Sequence, residues 1–325
     1  MCRRIFEGKG GSRLKRVTVT GAYGFIGRYV ARAYHAAGFC VIGIGHGTWS
    51  AAEARAWGID EWHDADVNID SLQSYAQDCE TIIHSAGSGS VGFSLMNPMK
   101  DFERTVWTTH YVLEYIRVFS PQTRFLYPSS AAVYGSQKKL PLSPDQPLQP
   151  ISPYGVHKKV VEELCAMYAS QYGVNIAALR LFSVYGEGLK KQLLWDACCK
   201  LSRGKYDFWG TGEETRDWIH VTDVARAFLF AGEKASAACP IFNVASGRAV
   251  TIAAVLDCLF QAYGASVRPF FGGEVNVGNP DHYEADIETI TSWGWRPTVS
   301  LKKGIADYVR WYRQYEDSGL HTSSQ

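Results

Sequence analysis

In the stretch SPYGVHKK, residues 152–159, a tyrosine and a lysine stand four positions apart. A phenol ionises near 10, too high for a base at neutral pH, and an ammonium on the same helix face favours the phenolate. Tyr154 and Lys158 are thus a candidate proton-transfer pair if the segment is helical. Ser152 as N-cap and Pro153 at the first helical position predict that it is. The same spacing recurs in Tyr134 and Lys138, but Gly135 and the run toward Pro141 break the helical register, so that copy reads as accidental. A hydroxyl must also face the phenol to hold a carbonyl or alkoxide oxygen. YPSSAAVYG supplies Ser129 and Ser130 at the end of a predicted strand.

A second cluster of chemistry lies near the start. TGAYGFIGRYV places Gly21, Gly24 and Gly27 between the strand RVTVT and a helix predicted from Phe25 to about Ala37 and closed by Gly38. Glycines there permit a tight turn, close approach of backbone N–H groups to a pyrophosphate, and helix-on-strand packing, which together indicate dinucleotide binding. The second strand, CVIGI, would end in an acid if it bound an unphosphorylated ribose. It ends instead at Gly45, followed by His46, Gly47, Thr48, Trp49 and Ser50. A missing carboxylate removes repulsion toward a 2′-phosphate and His46, Thr48 or Ser50 can donate to it, so NADP is slightly favoured over NAD. Asp66 is placed either to accept from the adenine amine or to begin a turn.

The elements that must position these residues alternate. Strands are expected at 81–87, 124–130 and 174–182, and helices at 99–119 and from Ser152 onward. Such alternation implies an α/β fold with a Rossmann-type doubly wound parallel sheet, whose ligands sit at the carboxyl ends of the strands. The run LPLSPDQPLQP, 140–150, reads as an exposed loop able to cover a site. Past Phe182 the alternation fails and resumes at WIHVTDVARAFLFAG, which implies a smaller, discontinuous C-terminal lobe. The expected division is 14–182 plus about 217–247 for the dinucleotide-binding domain and 183–216 plus about 248–315 for the substrate lobe, with 1–13 and 316–325 flexible.

Composition narrows the class. The chain has 325 residues, 46 % hydrophobic and 20 % charged, with a formal net charge of +1. No overall basic field points to nucleic acid, and no stretch approaches the roughly 18 apolar residues of a membrane span, so a cytoplasmic location is expected. The eight cysteines include no Cys-x-x-Cys and no zinc spacing, so neither a metal site nor a cysteine nucleophile is expected.

The ordered set TGAYGFIG, IIHSAG, SSAAVYG, SPYGVHKK, LRLFSVYG and TRDWIHVTDVA resembles the extended short-chain dehydrogenase/reductases, in particular the NAD(P)-dependent nucleotide-sugar epimerase/dehydratase family of UDP-glucose 4-epimerase-like enzymes. The resemblance spans roughly Val17 to Tyr312. It implies that Tyr154 is the acid/base, Lys158 its electrostatic partner and a ribose ligand, and Ser130 the partner of the sugar oxygen. It implies cofactor contacts at Gly21, Gly24, Phe25, Ile26, Gly27, His46, Asp66, Val67, Ala86 and Gly87, and substrate contacts at Ser183, Arg216 and Asn276. The last two stand at the places of the family's pyrophosphate-binding arginines, with Asn276 a departure. Ala131 and Ala132 replace the acidic pair of the dehydratases, which disfavours dehydration, and Thr105-Val106 stands for the family's Asn-Val pair. The implied reaction is hydride transfer at a sugar carbon of a nucleoside-diphosphate sugar, C4 by expectation, in an epimerase. An NADPH-dependent 4-keto-sugar reductase is the alternative within the class, and a non-catalytic NADP(H) sensor the alternative outside it. By the same resemblance, the helices at 99–119 and 153–171 form a homodimer contact.

Overall fold

The computed structural model describes residues 15–273 and 280–318. Seven parallel strands form its centre: β1 (Arg16–Thr20), β2 (Cys40–Gly45), β3 (Glu61–Asp64), β4 (Thr81–His84), β5 (Arg124–Ser130), β6 (Ile176–Leu181) and, later in the chain, β10 (Ile241–Val244). Their order is β10-β6-β5-β4-β1-β2-β3. The chain moves outward from β1 in one direction and then returns to β4, so β1 and β4 flank the point where the order reverses. The carboxyl ends of those two strands open the crevice in which a doubly wound sheet takes ligands. Strands β2 and β6 are buried at every position, as runs covered by helices on both faces must be.

The helices are α1 (Phe25–Ala36), α2 (Ala51–Ala56), α3 (Ile69–Tyr75), α4 (Val91–Met96), α5 (Pro98–Phe102), α6 (Thr108–Phe119), α7 (Pro153–Tyr172), α8 (Gln192–Leu201), α9 (Val221–Lys234), α10 (Ile252–Tyr263), α11 (Glu288–Ser292) and α12 (Leu301–Asp317). One face of the sheet packs on α1 and α9 through Val30, Val224 and Phe228, the other on α3, α6 and α7 through Leu72, Leu113 and Val161. A separate core of Tyr185, Leu194, Phe208, Leu256 and Tyr308 joins α8, α10 and α12. Around it lie β7 (Ser183–Tyr185), β8 (Asp207–Phe208), β9 (Thr215–His220), β11 (Ala249–Thr251) and β12 (Phe270–Phe271).

Three expectations change in detail. The helix foreseen over 99–119 is present and unbroken, but α5 and α6 are joined in it by a wide i→i+5 turn over Glu103–Trp107, and the short α4 before it was unforeseen. Asn97-Pro98 separates α4 from α5, and Thr105, within the wide turn, is 2 % exposed. The run 140–150 is also more than an exposed loop. Leu142 is fully buried, donates its N–H to Glu284 O at 2.7 Å and accepts from Asp286 N at 2.9 Å. The terminal helix continues through Asp317, past the start of the tail expected at 316. No helix among the described residues is long and apolar enough to cross a membrane.

Candidate active site

The glycine turn fits a dinucleotide by its shape. Gly21 has φ +68°, and a Cβ there would lie 2.5 Å from Ala86 N, while a Cβ on Gly27 would lie 2.3 Å from Gly21 O. The first turn of α1 has Gly24 as its N-cap, no side-chain cap and no acidic residue, so its amides are open to phosphate oxygens. Phe25 and Ile26 begin that helix, half-buried. At the ends of β1 and β4, Thr20 Oγ1 meets His84 Nδ1 at 2.7 Å. Burial, with Lys158 nearby, pushes His84 down to about 3, so it stays neutral and joins the two strands. Ala86 and Gly87 follow, and Gly87, φ +134°, backs onto the wide turn at Arg104 O.

The loop after β2 faces more acid than Gly45 alone suggested. His46 is bracketed by two carboxylates, Asp66 at 2.8 Å from Nε2 and Asp64 at 3.5 Å from Nδ1. His46 thus already faces Asp66, and two acids stand beyond the acid-free Gly45. Val67 next to Asp66 is buried. Trp49 packs at a tilt against Tyr23, ring centres 4.7 Å apart, and the Arg28 guanidinium lies over both rings, at 5.5 and 5.6 Å, folding the post-β2 loop onto the glycine turn. Arg28 went unread because its partners are aromatic residues dispersed along the chain.

Tyr154, Lys158 and Ser130 come together. Ser152 caps α7, its hydroxyl accepting from Gly155 N at 3.2 Å, as the sequence predicts. Gly155 lets the first turn of α7 press on the short helix Ala131–Val133, since a Cβ there would sit 2.5 Å from Ala132 O. This contact carries Tyr154 to the end of β5. Burial pushes the Tyr154 phenol up from its ordinary value, and a hydrogen bond with Ser130 pulls it back. Lys158 Nζ donates to Pro128 O at 2.8 Å and lies 5.7 Å from the Tyr154 ring centre. Burial lowers the ammonium to about 8, with Asp101 and Glu162 opposing the shift. The hydroxyl of Ser130, not the expected field of Lys158, is what offsets burial at the phenol. Ser94, in the unforeseen α4, accepts from Tyr154 N at 3.0 Å.

The neighbouring serine serves another purpose. Ser129 Oγ donates to Glu162, which is bonded to Arg180, whose Nη1 donates to Tyr134 OH at 2.9 Å. Tyr134 OH in turn donates to Asn243 Oδ1 at 2.7 Å. The second Tyr-x-x-x-Lys tyrosine is thus part of a buried polar network.

Arg216, on β9, donates to the main-chain carbonyls of Thr215 at 2.8 Å and Asp281 at 3.1 Å, and lies 5.8 Å from the Tyr283 ring. Its neighbour Asp217 is fully buried and accepts from Ser246 N, Gly247 N and Ala285 N, tying three segments together. Ser183 opens β7, half-buried and paired in register with Trp218. Asn276 lies outside the described residues. The thiols of Cys79, Cys165 and Cys239 are buried and pushed up by that burial, to about 11 for Cys79, which makes them poor nucleophiles.

A family model described as the NAD dependent epimerase/dehydratase family matches residues 17–245. A protein of Methanocaldococcus jannaschii named "Putative UDP-glucose 4-epimerase" is 30 % identical, over 91 % of this chain and 98 % of its own. The UDP-glucose 4-epimerase of Thermotoga maritima, solved with UDP-glucose, superposes with a TM-score of 0.84 at 25 % identity, covering 93 % of this chain and 99 % of that one. The UDP-glucuronic acid 4-epimerase of Bacillus cereus, solved with UDP-glucuronic acid and NAD, gives 0.83 at 25 % identity, covering 92 % and 99 %.

Proposed function

The chain belongs to the NAD-dependent epimerase/dehydratase family, and on that premise we propose that it interconverts the C4 epimers of a UDP-sugar using a retained NAD. The observation that carries this reading is the Tyr154 phenol bonded to Ser130, with Lys158 one turn along α7, at the strand ends beside the glycine turn. A bound nicotinamide dinucleotide would supply the hydride acceptor and donor. Tyr154 takes the proton from the C4 hydroxyl and returns it. Ser130 holds the same sugar oxygen, and Lys158 keeps a positive charge beside the phenol and bonds the nicotinamide ribose. Gly21, Gly24 and Gly27, with Phe25, Ile26, Ala86 and Gly87, cradle the pyrophosphate and nicotinamide half. Arg216 and Ser183 are assigned to the nucleotide and sugar.

NAD is preferred here to NADP because Asp64 and Asp66 crowd His46 at the adenosine end, where a 2′-phosphate would meet two carboxylates. The relatives solved with NAD agree in kind. A cofactor kept through the turnover suits an epimerase better than a reductase, which must exchange it. Ala131 and Ala132 leave no acid to eliminate water beside Ser130.

The division foreseen from sequence, 14–182 with 217–247 against 183–216 with 248–315, is retained as the proposed boundary between cofactor and sugar-nucleotide halves. The separate core around Tyr185 and Tyr308 supports it. A homodimer through α6 and α7 is proposed from their exposed apolar residues, Tyr111, Val118, Phe119, Met167 and Tyr172.

The deciding experiment denatures the purified protein, identifies any released dinucleotide by mass spectrometry, and follows UDP-glucose and UDP-glucuronic acid for conversion to their C4 epimers. Released NAD with conversion supports the reading. An empty protein that binds NADPH and reduces a 4-keto sugar supports the reductase instead.

A further inference from the structure

Asp101 and His157 stand far apart in sequence and meet behind the proposed proton-transfer pair. Asp101, in α5, is fully buried; its Oδ2 lies 2.6 Å from His157 Nδ1. Its other oxygen is buried with no hydrogen-bond partner among the described residues. The ring of Phe102 closes on His157 edge-on at 5.3 Å, and the His157 side chain is 11 % exposed. His157 directly precedes Lys158 on α7 and lies one turn from Tyr154.

Such a pair is expensive for what it adds to the fold. A buried ion pair at best breaks even against well-packed apolar side chains, and a carboxylate with one unsatisfied oxygen does worse. Its placement is what distinguishes it: His157 sits on α7 between Tyr154 and Lys158, and the Asp101 carboxylate behind it acts to keep the proton on Tyr154 and Tyr127 and the charge on Lys158. The other groups around it are accounted for. On α7, Glu162 is bonded to Arg180. On α6, His110 faces Tyr168 at 3.4 Å. Lys100, Glu103 and Arg104 are exposed, and α4 carries no titratable residue.

We propose that Asp101 and His157 are positioning residues whose joint charge governs how readily Tyr154 releases and regains its proton. The pair is neutral when His157 is protonated and singly negative when it is not. In the negative state it holds the proton on Tyr154 and the charge on Lys158; in the neutral state it frees Tyr154 to act as a base. The inference rests on Tyr154 being the acid/base of the proposed reaction, but its test does not require the substrate.

The test titrates Tyr154 by its near-ultraviolet phenolate absorbance, as the difference between each protein and its Tyr154→Phe counterpart. Asp101→Asn, which removes the negative charge, is expected to lower the Tyr154 midpoint by about one unit. His157→Gln fixes the pair as negative and is expected to leave the midpoint at or above that of wild type. Asp101→Glu restores the wild-type value. Should Asp101→Asn not fold, His157→Lys, a fixed cation at the rim, is expected to shift the midpoint in the same downward direction. A midpoint within about 0.3 unit of wild type in folded Asp101→Asn or His157→Lys, or a downward shift in His157→Gln, overturns the proposal. If a UDP-sugar is turned over while the titration is unmoved, this inference fails and the proposed reaction stands. If the midpoints move and no UDP-sugar reacts, the reverse holds.

Discussion

Arg180 on β6 grips Glu162 on α7 with two nitrogens, Nη2 to Oε2 at 2.7 Å and Nε to Oε1 at 3.0 Å, with each side chain only 4 % exposed. The pair anchors the helix that carries Tyr154 and Lys158 to the sheet, and the hydroxyls of Ser129 and Tyr134 complete it. It determines which serine and which tyrosine remain for chemistry.

Removing one partner leaves the other as an uncompensated buried charge. Arg180→Met is therefore expected to cost about 3–5 kcal/mol in urea unfolding, and the double change Arg180→Met with Glu162→Met much less than the sum of the two singles. Additive costs would mean that the pair is not the anchor.

Gly27 has no room for a side chain, its would-be Cβ lying 2.3 Å from Gly21 O. Gly27→Ala is expected to yield protein without dinucleotide. Gly38, φ +88° with nothing within 4 Å of its would-be Cβ, supplies the control. Gly38→Ala pays only a left-handed backbone cost of roughly 1–2 kcal/mol and keeps the cofactor content. Equal dinucleotide content in both proteins would remove the turn from the binding site.

Tyr154→Phe is expected to lower kcat by about 10²–10⁴ with unchanged cofactor content, and Ser130→Ala by about 10². Lys158 carries its charge below about 8 and loses it above. Turnover should accordingly fall as pH rises through about 8, and Lys158→Met should show a low rate without that limb. A Lys158→Met profile with the same alkaline limb would assign it to another group.

Asp64 and Asp66 are held to disfavour a 2′-phosphate. The double change to Asn is expected to improve binding of NADP relative to NAD by up to about tenfold at low salt, shrinking as salt screens the site. An unchanged ratio in competition titrations would return the discrimination to Gly45 and the backbone.

Much of the fold was legible because its signals are local. The glycine triplet, the Ser152-Pro153 start of α7 and the alternation of apolar strands with helices each act within a few residues of their cause, and each is found where the sequence predicts it. The wide turn within 99–119 escaped notice because the chain stays helical through it and no residue type marks where the extra residue is taken up.

The sequence by itself determined a doubly wound sheet with a dinucleotide turn and brought Tyr154 and Lys158 to one helix face, since backbone preference and periodicity suffice for both. Only the tertiary structure decided that Ser130 rather than Ser129 meets the phenol, that Tyr134 serves Arg180 and Asn243, that Leu142 is core, and that Asp101 lies behind His157. Those outcomes depend on which distant side chains share a buried volume. Buried polar groups take whatever partners packing brings within reach, and no local spacing encodes that choice.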